Sequence, residues 1–163
     1  MAELPDSAAV AEKLIERLSA LSWTVAMAES CTAGLAADLL AQISGASRVL
    51  WGSFVCYTPA AKTAMLGLEG SLIARYGAVS RETACAMAEG ALKKSGADAA
   101  LAVTGLAGPL GDGSAVPVGT VWIAAALRNR PVEAVSFHYE GSRNEIRAAA
   151  AVDALGELLK RLP

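Results

Sequence analysis

Strand-length apolar runs alternate with helix-periodic segments through the first two-thirds of this 163-residue chain, and that order limits the fold more than any other feature. Over 4–21, Val10, Leu14 and Leu18 recur at helical spacing. Trp23 to Ala28 is apolar and of strand length. Thr32 to Ile43, rich in alanine and leucine, predicts a helix ending near Ser44-Gly45. Arg48 to Tyr57 carries β-formers. Thr58-Pro59 predicts a helix start, threonine as N-cap and proline at the first helical position, with Gly67 past the end. Leu72 to Tyr76 predicts a short helix, and Ser80 caps a longer one running to Ser95, before Gly96. Ala99 to Thr104 predicts a buried strand. Val118 to Leu127 and Val132 to Tyr139 predict an antiparallel hairpin, and Asn144 to Leu162 a closing helix.

This order predicts one domain, residues 1–163, of the α/β class. The expected architecture is a three-layer α/β/α sandwich on a mixed, mostly parallel sheet of about five strands with one antiparallel strand. Ligands of such sheets sit at the carboxyl ends of the strands. Three loops leave those ends, around Ser30, around Thr58 and over 105–117. They converge on one cleft if their strands are neighbours.

A mean hydropathy of +0.41 raises the question of a membrane span. The longest charge-free run, Gly113 to Leu127, has fifteen residues and carries Pro117 and Gly119. A spanning helix needs about 20 predominantly apolar residues, so buried strand is the better reading. Glu3 and Asp6 break any signal-peptide pattern, and a cytoplasmic protein without membrane contact is expected. Fourteen basic and sixteen acidic residues, with no block of either sign, argue against direct nucleic-acid binding. Three cysteines without CxxC spacing fit a reducing compartment, and one histidine excludes a zinc site of several histidines. No metal and no cofactor is expected. A homodimer is the expected assembly, from the alanine-rich helices and the habits of small enzymes.

The first loop, Ala28-Glu29-Ser30-Cys31-Thr32-Ala33-Gly34, turns a strand into a helix with Ser30 at the corner. The unpaired N–H groups of a first helical turn can receive a phosphate or a developing oxyanion. Ser30 is a candidate nucleophile if a base is near; otherwise Ser30 or Thr32 caps the helix. Cys31 is a rival nucleophile or a buried packing residue. In the second loop Lys62 falls one turn into its helix, where the dipole and the apolar neighbours Ala60, Ala61, Ala64 and Met65 would lower its pKa. A neutral lysine can take a proton from serine; the alternative is a lysine lying over an exposed face. The Tyr57 hydroxyl can relay a proton or hold the serine, or Tyr57 is an ordinary strand residue.

The third loop holds four glycines and two prolines but is neither a Walker A sequence nor a dinucleotide fingerprint. Thr104, Gly105 and Gly108 either line a ligand site or belong to a plain connection. A triad of Ser30, His138 and Asp153 can also be drawn. Arg143 and Arg147, one turn apart, either hold an anion or face solvent. Trp51 and Trp122 are expected in the core.

Together these segments resemble the CinA C-terminal domain family, whose stand-alone members are nicotinamide mononucleotide deamidases (PncC). The matching stretches are AESCTAG at 28–34, WGSFVCYTPAAKTAMLGL at 51–68, GAVS at 77–80, AVTGLAGPLGDGSAVPVGTVW at 102–122 and the corner Gly141-Ser142-Arg143. The resemblance implies a three-layer sandwich and hydrolysis of the carboxamide of nicotinamide mononucleotide to nicotinate mononucleotide and ammonia, a step of pyridine nucleotide salvage. It puts the family's serine on Ser30, tyrosine on Tyr57, lysine on Lys62 and pre-loop hydroxyl on Thr104. Cys31, Thr32, Gly34, Thr104, Gly105, Gly108 and Arg143 are the expected substrate contacts, with the Cys31 and Thr32 amides as oxyanion hole and Arg143 on the phosphate. Full-length CinA proteins carry a further N-terminal domain, for which 163 residues leave no room. Three positions depart from the family pattern: Ala33 for a glycine, Val116 for a lysine and Ser142 for an aspartate. They leave open a nucleotide-binding or regulatory module without turnover. A structural partner in competence or DNA repair is a third reading.

Overall fold

The computed structural model describes residues 7–163, so the first part of the expected N-terminal helix lies outside the described residues. Helices α1 (Ser7–Leu21), α2 (Leu35–Ala41), α3 (Pro59–Leu66), α4 (Gly70–Tyr76), α5 (Arg81–Ser95) and α6 (Arg143–Arg161) alternate with or follow strands β1 (Val25–Glu29), β2 (Leu50–Val55), β3 (Ala99–Gly105), β4 (Thr120–Leu127) and β5 (Glu133–His138). A 3₁₀ turn at Ala46–Arg48 precedes β2. The strands form one sheet in the order β2-β1-β3-β4-β5. β1 pairs parallel with β2 and β3, while β4 is antiparallel to β3 and β5. Four strands therefore run one way and β4 runs against them, the mixed sheet that the element order predicts.

The two sheet faces bury different side chains, because successive strand residues point to opposite sides. One face presents Val25, Met27, Leu101, Val103, Val121 and Ile123 to a core shared with α1, α2 and α6. The other presents Ala28, Ala100, Ala102, Ala124 and Ala126 to a core shared with α5 and the short helices α3 and α4. An alanine face lets a helix sit low on the sheet, and α5 answers it with Ala84, Ala88 and Ala91. The alanine in the composition is thus close packing between layers. The charge-free run 113–127 divides into loop and β4, and no described helix is long and apolar enough to cross a membrane.

Local signals set the helix ends on the α3–α5 face. The Thr58 hydroxyl accepts from the Ala61 amide at 3.1 Å, with Pro59 in the first turn, and Gly67 closes α3. Ser80 caps α5 through the Thr83 amide at 3.1 Å. Ser142 and Glu145 form a reciprocal capping box at the start of α6. Two expectations fail. Helix α2 starts at Leu35 rather than Thr32, with Gly34 at its N-cap and no side-chain cap bond, so neither Ser30 nor Thr32 caps it. Trp51 is 50% exposed on the edge strand β2, stacked on Phe54, and Trp122 is half-buried. An edge strand has one neighbour, so its side chains are only partly covered.

Gly90 sets how closely α3 approaches α5. A Cβ there would lie 2.5 Å from the Leu66 carbonyl oxygen and 3.0 Å from Leu66 Cβ. Alanine gains about 1 kcal/mol of helix propensity over glycine, but overpacking against main chain costs about 1–3 kcal/mol. Gly90→Ala is expected to lower the stability by about 1 kcal/mol despite the better helix former, read as a lower midpoint in urea unfolding.

Candidate active site

β1, β2 and β3 are adjacent and parallel, so the three loops leave the same sheet edge. They enclose a cleft of about 330 Å³ lined by Ser30, Cys31, Tyr57, Lys62, Thr104, Gly105, Gly108, Leu110, Asp112 and Arg143 among others. Ser30 follows the last residue of β1, and its amide continues the ladder onto the Val103 carbonyl at 2.9 Å. Lys62 comes in from α3, whose buried residues are Lys62 and Leu66. The Lys62 side chain is 1% exposed, and its Nζ donates to Ser30 Oγ at 2.8 Å. The same nitrogen reaches the Cys56 carbonyl at 3.1 Å and the Tyr57 carbonyl at 3.5 Å. Burial pushes the Lys62 amine below the usual 10.5 of lysine, because a charged amine loses its water shell there. The flanking Ala60, Ala64 and Met65 face outward, so the apolar setting comes from the protein interior rather than from helix neighbours.

Three acceptors around one nitrogen match the three N–H donors of an ammonium, and the same cage also serves the neutral amine that burial favours. The neutral amine's two hydrogens satisfy the two carbonyls, and its lone pair meets the serine hydroxyl. Once protonated, the ammonium keeps the same carbonyls as partners. Cys31 does not compete as nucleophile: burial pushes its thiol up to about 11, which leaves little thiolate near neutrality.

The turn carrying Ser30 is held from both sides, by Glu29, which the sequence alone did not mark, and by Arg147. Glu29 is fully buried. Its Oε2 accepts from the Gly34 and Ala36 amides, and its Oε1 from the Ala37 amide and Ser53 Oγ, each at 3.0 Å. The N-terminal amides of α2 are thus taken by a carboxylate from the chain itself, which is the favourable charge at that end of a helix. From the other side Arg147 donates through Nε to the Cys31 carbonyl at 2.8 Å and through a terminal nitrogen to the Thr32 carbonyl at 3.2 Å. Arg147 is therefore a clamp on the turn rather than an anion site. Ala33 adopts φ +50°, the left-handed region that disfavours an L side chain. A glycine, usual in the resembled family, would carry no such strain.

The other expected contacts divide. Thr104 lies on the cleft wall and donates through its hydroxyl to the Ala78 carbonyl at 2.8 Å. At Gly105 a Cβ would lie 2.6 Å from Val121 Cγ2 and 2.8 Å from the Thr120 oxygen, so the loop can leave the sheet here only without a side chain. Thr32 and Gly34 do not line the cleft: Thr32 is fully buried and the Gly34 amide is spent on Glu29. The amides of Cys31 and Thr32 donate to no other backbone or side-chain acceptor among the described residues. The Tyr57 phenol faces Arg143 at 2.5 Å, and what reaches Ser30 and Lys62 from this residue is its carbonyl. The triad through His138 does not form: His138 is exposed, and Asp153 accepts from the Tyr139 hydroxyl at 2.8 Å. Among the described residues no group of three or more His, Cys, Asp or Glu is placed to hold a metal ion.

An α/β sandwich with a buried serine–lysine pair at the carboxyl edge of its parallel strands defines the class of this site. Residues 7–162 match the family model described as the CinA C-terminal domain, and the chain belongs to that family. It is 42% identical over 155 residues to a CinA-like protein of Akkermansia muciniphila, covering 95% of this chain and 37% of the relative. It is 47% identical over 139 residues to a CinA-like protein of Geobacter metallireducens, covering 85% of this chain and 33% of the relative. The chain thus spans little more than a third of the curated relatives it matches. Solved structures resemble it along nearly their whole length. The competence/damage inducible protein CihA from Agrobacterium tumefaciens superposes with a TM-score of 0.92 at 42% identity, covering 98% of both chains. A competence-damaged protein (CinA) superfamily protein from Escherichia coli gives 0.93 at 32% identity, covering 98% of this chain and 92% of the other.

Replacing Glu29 by glutamine keeps the shape but leaves one oxygen where two serve four donors. Buried donors left without an acceptor cost about 1–3 kcal/mol each. Glu29→Gln is expected to destabilise the protein by about 2–3 kcal/mol, measured as a shift of the urea midpoint at constant slope.

Proposed function

We propose that this protein is an amidohydrolase that converts nicotinamide mononucleotide to nicotinate mononucleotide and ammonia, with Ser30 as nucleophile and Lys62 as its base. The observation that carries this reading is the buried Lys62 amine 2.8 Å from Ser30 Oγ, caged by two main-chain carbonyls. Neutral Lys62 takes the serine proton, and Ser30 Oγ attacks the carboxamide carbon. The amide of Cys31, which lines the cleft, receives the oxyanion. The Lys62 ammonium returns its proton to the nitrogen, ammonia leaves, and an acyl-serine remains. Water, deprotonated by the same amine, then releases nicotinate mononucleotide. Arg143 at the cleft mouth takes the phosphate, since a guanidinium suits a bidentate anion. The chemistry asks for no bound metal and no cofactor.

The test is ammonia release from nicotinamide mononucleotide by the purified protein, in the presence and absence of a divalent-metal chelator. Turnover is expected to survive the chelator. Ser30→Ala and Lys62→Ala are each expected to lower kcat by about 10²-fold or more with folding intact. Unchanged rates in either variant, or wild-type protein that binds the nucleotide without releasing ammonia, would sink the mechanism.

The pH dependence has a definite sign. Protonated Lys62 cannot accept the serine proton, so kcat rises with pH through the lysine ionisation. That ionisation lies below 10.5 because burial lowers it. A rate that falls with pH over the same range would count against a lysine base.

A further inference from the structure

We propose that the Tyr57 side chain is a positioning residue for the substrate's anionic group, acting through Arg143, and carries no proton for Ser30. The inference rests on the deamidase reading for the identity of the substrate. The two ends of Tyr57 serve different parts of the cleft. Its carbonyl is one of the acceptors around Lys62 Nζ and Ser30 Oγ, each at 3.5 Å. Its phenol oxygen accepts from a terminal nitrogen of Arg143 at 2.5 Å. The other terminal nitrogen of Arg143 donates to the Gly108 carbonyl at 2.6 Å. One guanidinium therefore spans the cleft mouth, from the loop before α3 to the glycine loop after β3.

The geometry favours this role over a proton relay. A phenol that relays protons must meet the serine or the lysine, whereas this one is held by a cation at the mouth. Arg143 is the first residue of α6, and its side chain is exposed. A long, exposed side chain samples many rotamers unless its head group is tied, and ordering it on ligand binding costs affinity. Two of the five N–H donors are used by Tyr57 and Gly108, and three remain for an anion. The two ties thus set the plane of the guanidinium before the substrate arrives. They also set the distance between the anion seat and Ser30, because residue 57 contributes to both ends.

Tyr57→Phe removes the phenol oxygen and keeps the carbonyl, so it separates the two roles. The experiment compares wild type, Tyr57→Phe, Arg143→Met and the double variant with nicotinamide mononucleotide and with nicotinamide riboside, which has no phosphate. In Tyr57→Phe the KM for the mononucleotide is expected to rise on the order of tenfold, the scale of one hydrogen bond to a charged group. The kcat should stay within about twofold of wild type, with the same pH profile. The preference for mononucleotide over riboside in kcat/KM should shrink by the same factor. In the Arg143→Met background the tyrosine substitution should add less than about twofold. A kcat loss of tenfold or more that persists with the riboside, or in the Arg143→Met background, overturns the proposal and returns the phenol to the chemistry. If wild type releases no ammonia, the deamidase reading fails, and the same four proteins are compared by calorimetric binding of nicotinamide mononucleotide. Weaker binding in both single variants, with Tyr57→Phe adding less than about twofold in the Arg143→Met background, then upholds the inference. Wild-type affinity in Tyr57→Phe, or no binding by any protein, overturns it.

Discussion

The contact on which the rest of the site depends is a lysine amine buried against a serine hydroxyl, with two main-chain carbonyls as its remaining partners. An amine in that position is held where its charged form is penalised, which is what makes a lysine available as a base. Such burial requires several elements to agree. Helix α3 must begin at Thr58 for Lys62 to fall on its inner face beside Leu66. β2 must lie next to β1 for that helix to start beside Ser30. The chain between β2 and α3 must turn so that the carbonyls of Cys56 and Tyr57 face inward.

The serine is positioned by a different set of forces. Its turn is tied by a buried carboxylate from the strand before it and by a guanidinium from the last helix. Glu29 satisfies donors that a helix start leaves open, and Arg147 satisfies carbonyls that the turn leaves open. The corner therefore tolerates Ala33 in a left-handed conformation. It also means that the start of α2 holds the turn in shape and is not itself an anion seat. That work falls to Arg143 at the cleft mouth in the proposed mechanism, and the Tyr57–Arg143–Gly108 contacts tie the mouth together.

Much of the fold could be read from residue order, and the reasons are local. Thr58-Pro59 with Gly67, and Ser80 with Gly96, mark helix ends through bonds between neighbours a few residues apart. The alternation of large residue and alanine in β1, β3 and β4 is likewise written in the strands themselves. The start of α2 is not legible locally, because Thr32 has the right chemistry for a cap while Glu29, outside the helix, supplies the contacts. Its one visible signal was an acidic residue at the end of an apolar strand, directly before a serine corner. Hydrophobicity alone puts Trp51 in the core, but the strand's place at the sheet edge decides its exposure. Arg147 showed a charge at helical spacing from Arg143, and nothing in that spacing says that one spans the cleft mouth and the other clamps a turn.

By itself, then, the sequence determined the layers, the strand edge that carries the cleft, and the residue types able to react there. Those properties depend on periodicity and capping, which act over a few residues. Only the tertiary structure decided that Ser30 and Lys62, thirty-two positions apart, are 2.8 Å apart, that the Tyr57 phenol turns to Arg143, and that Glu29 occupies the start of α2. Distances of that kind follow from which strands are neighbours and how low each helix sits on the sheet. Strand adjacency and helix depth come from packing the whole chain at once, which no short window of sequence contains.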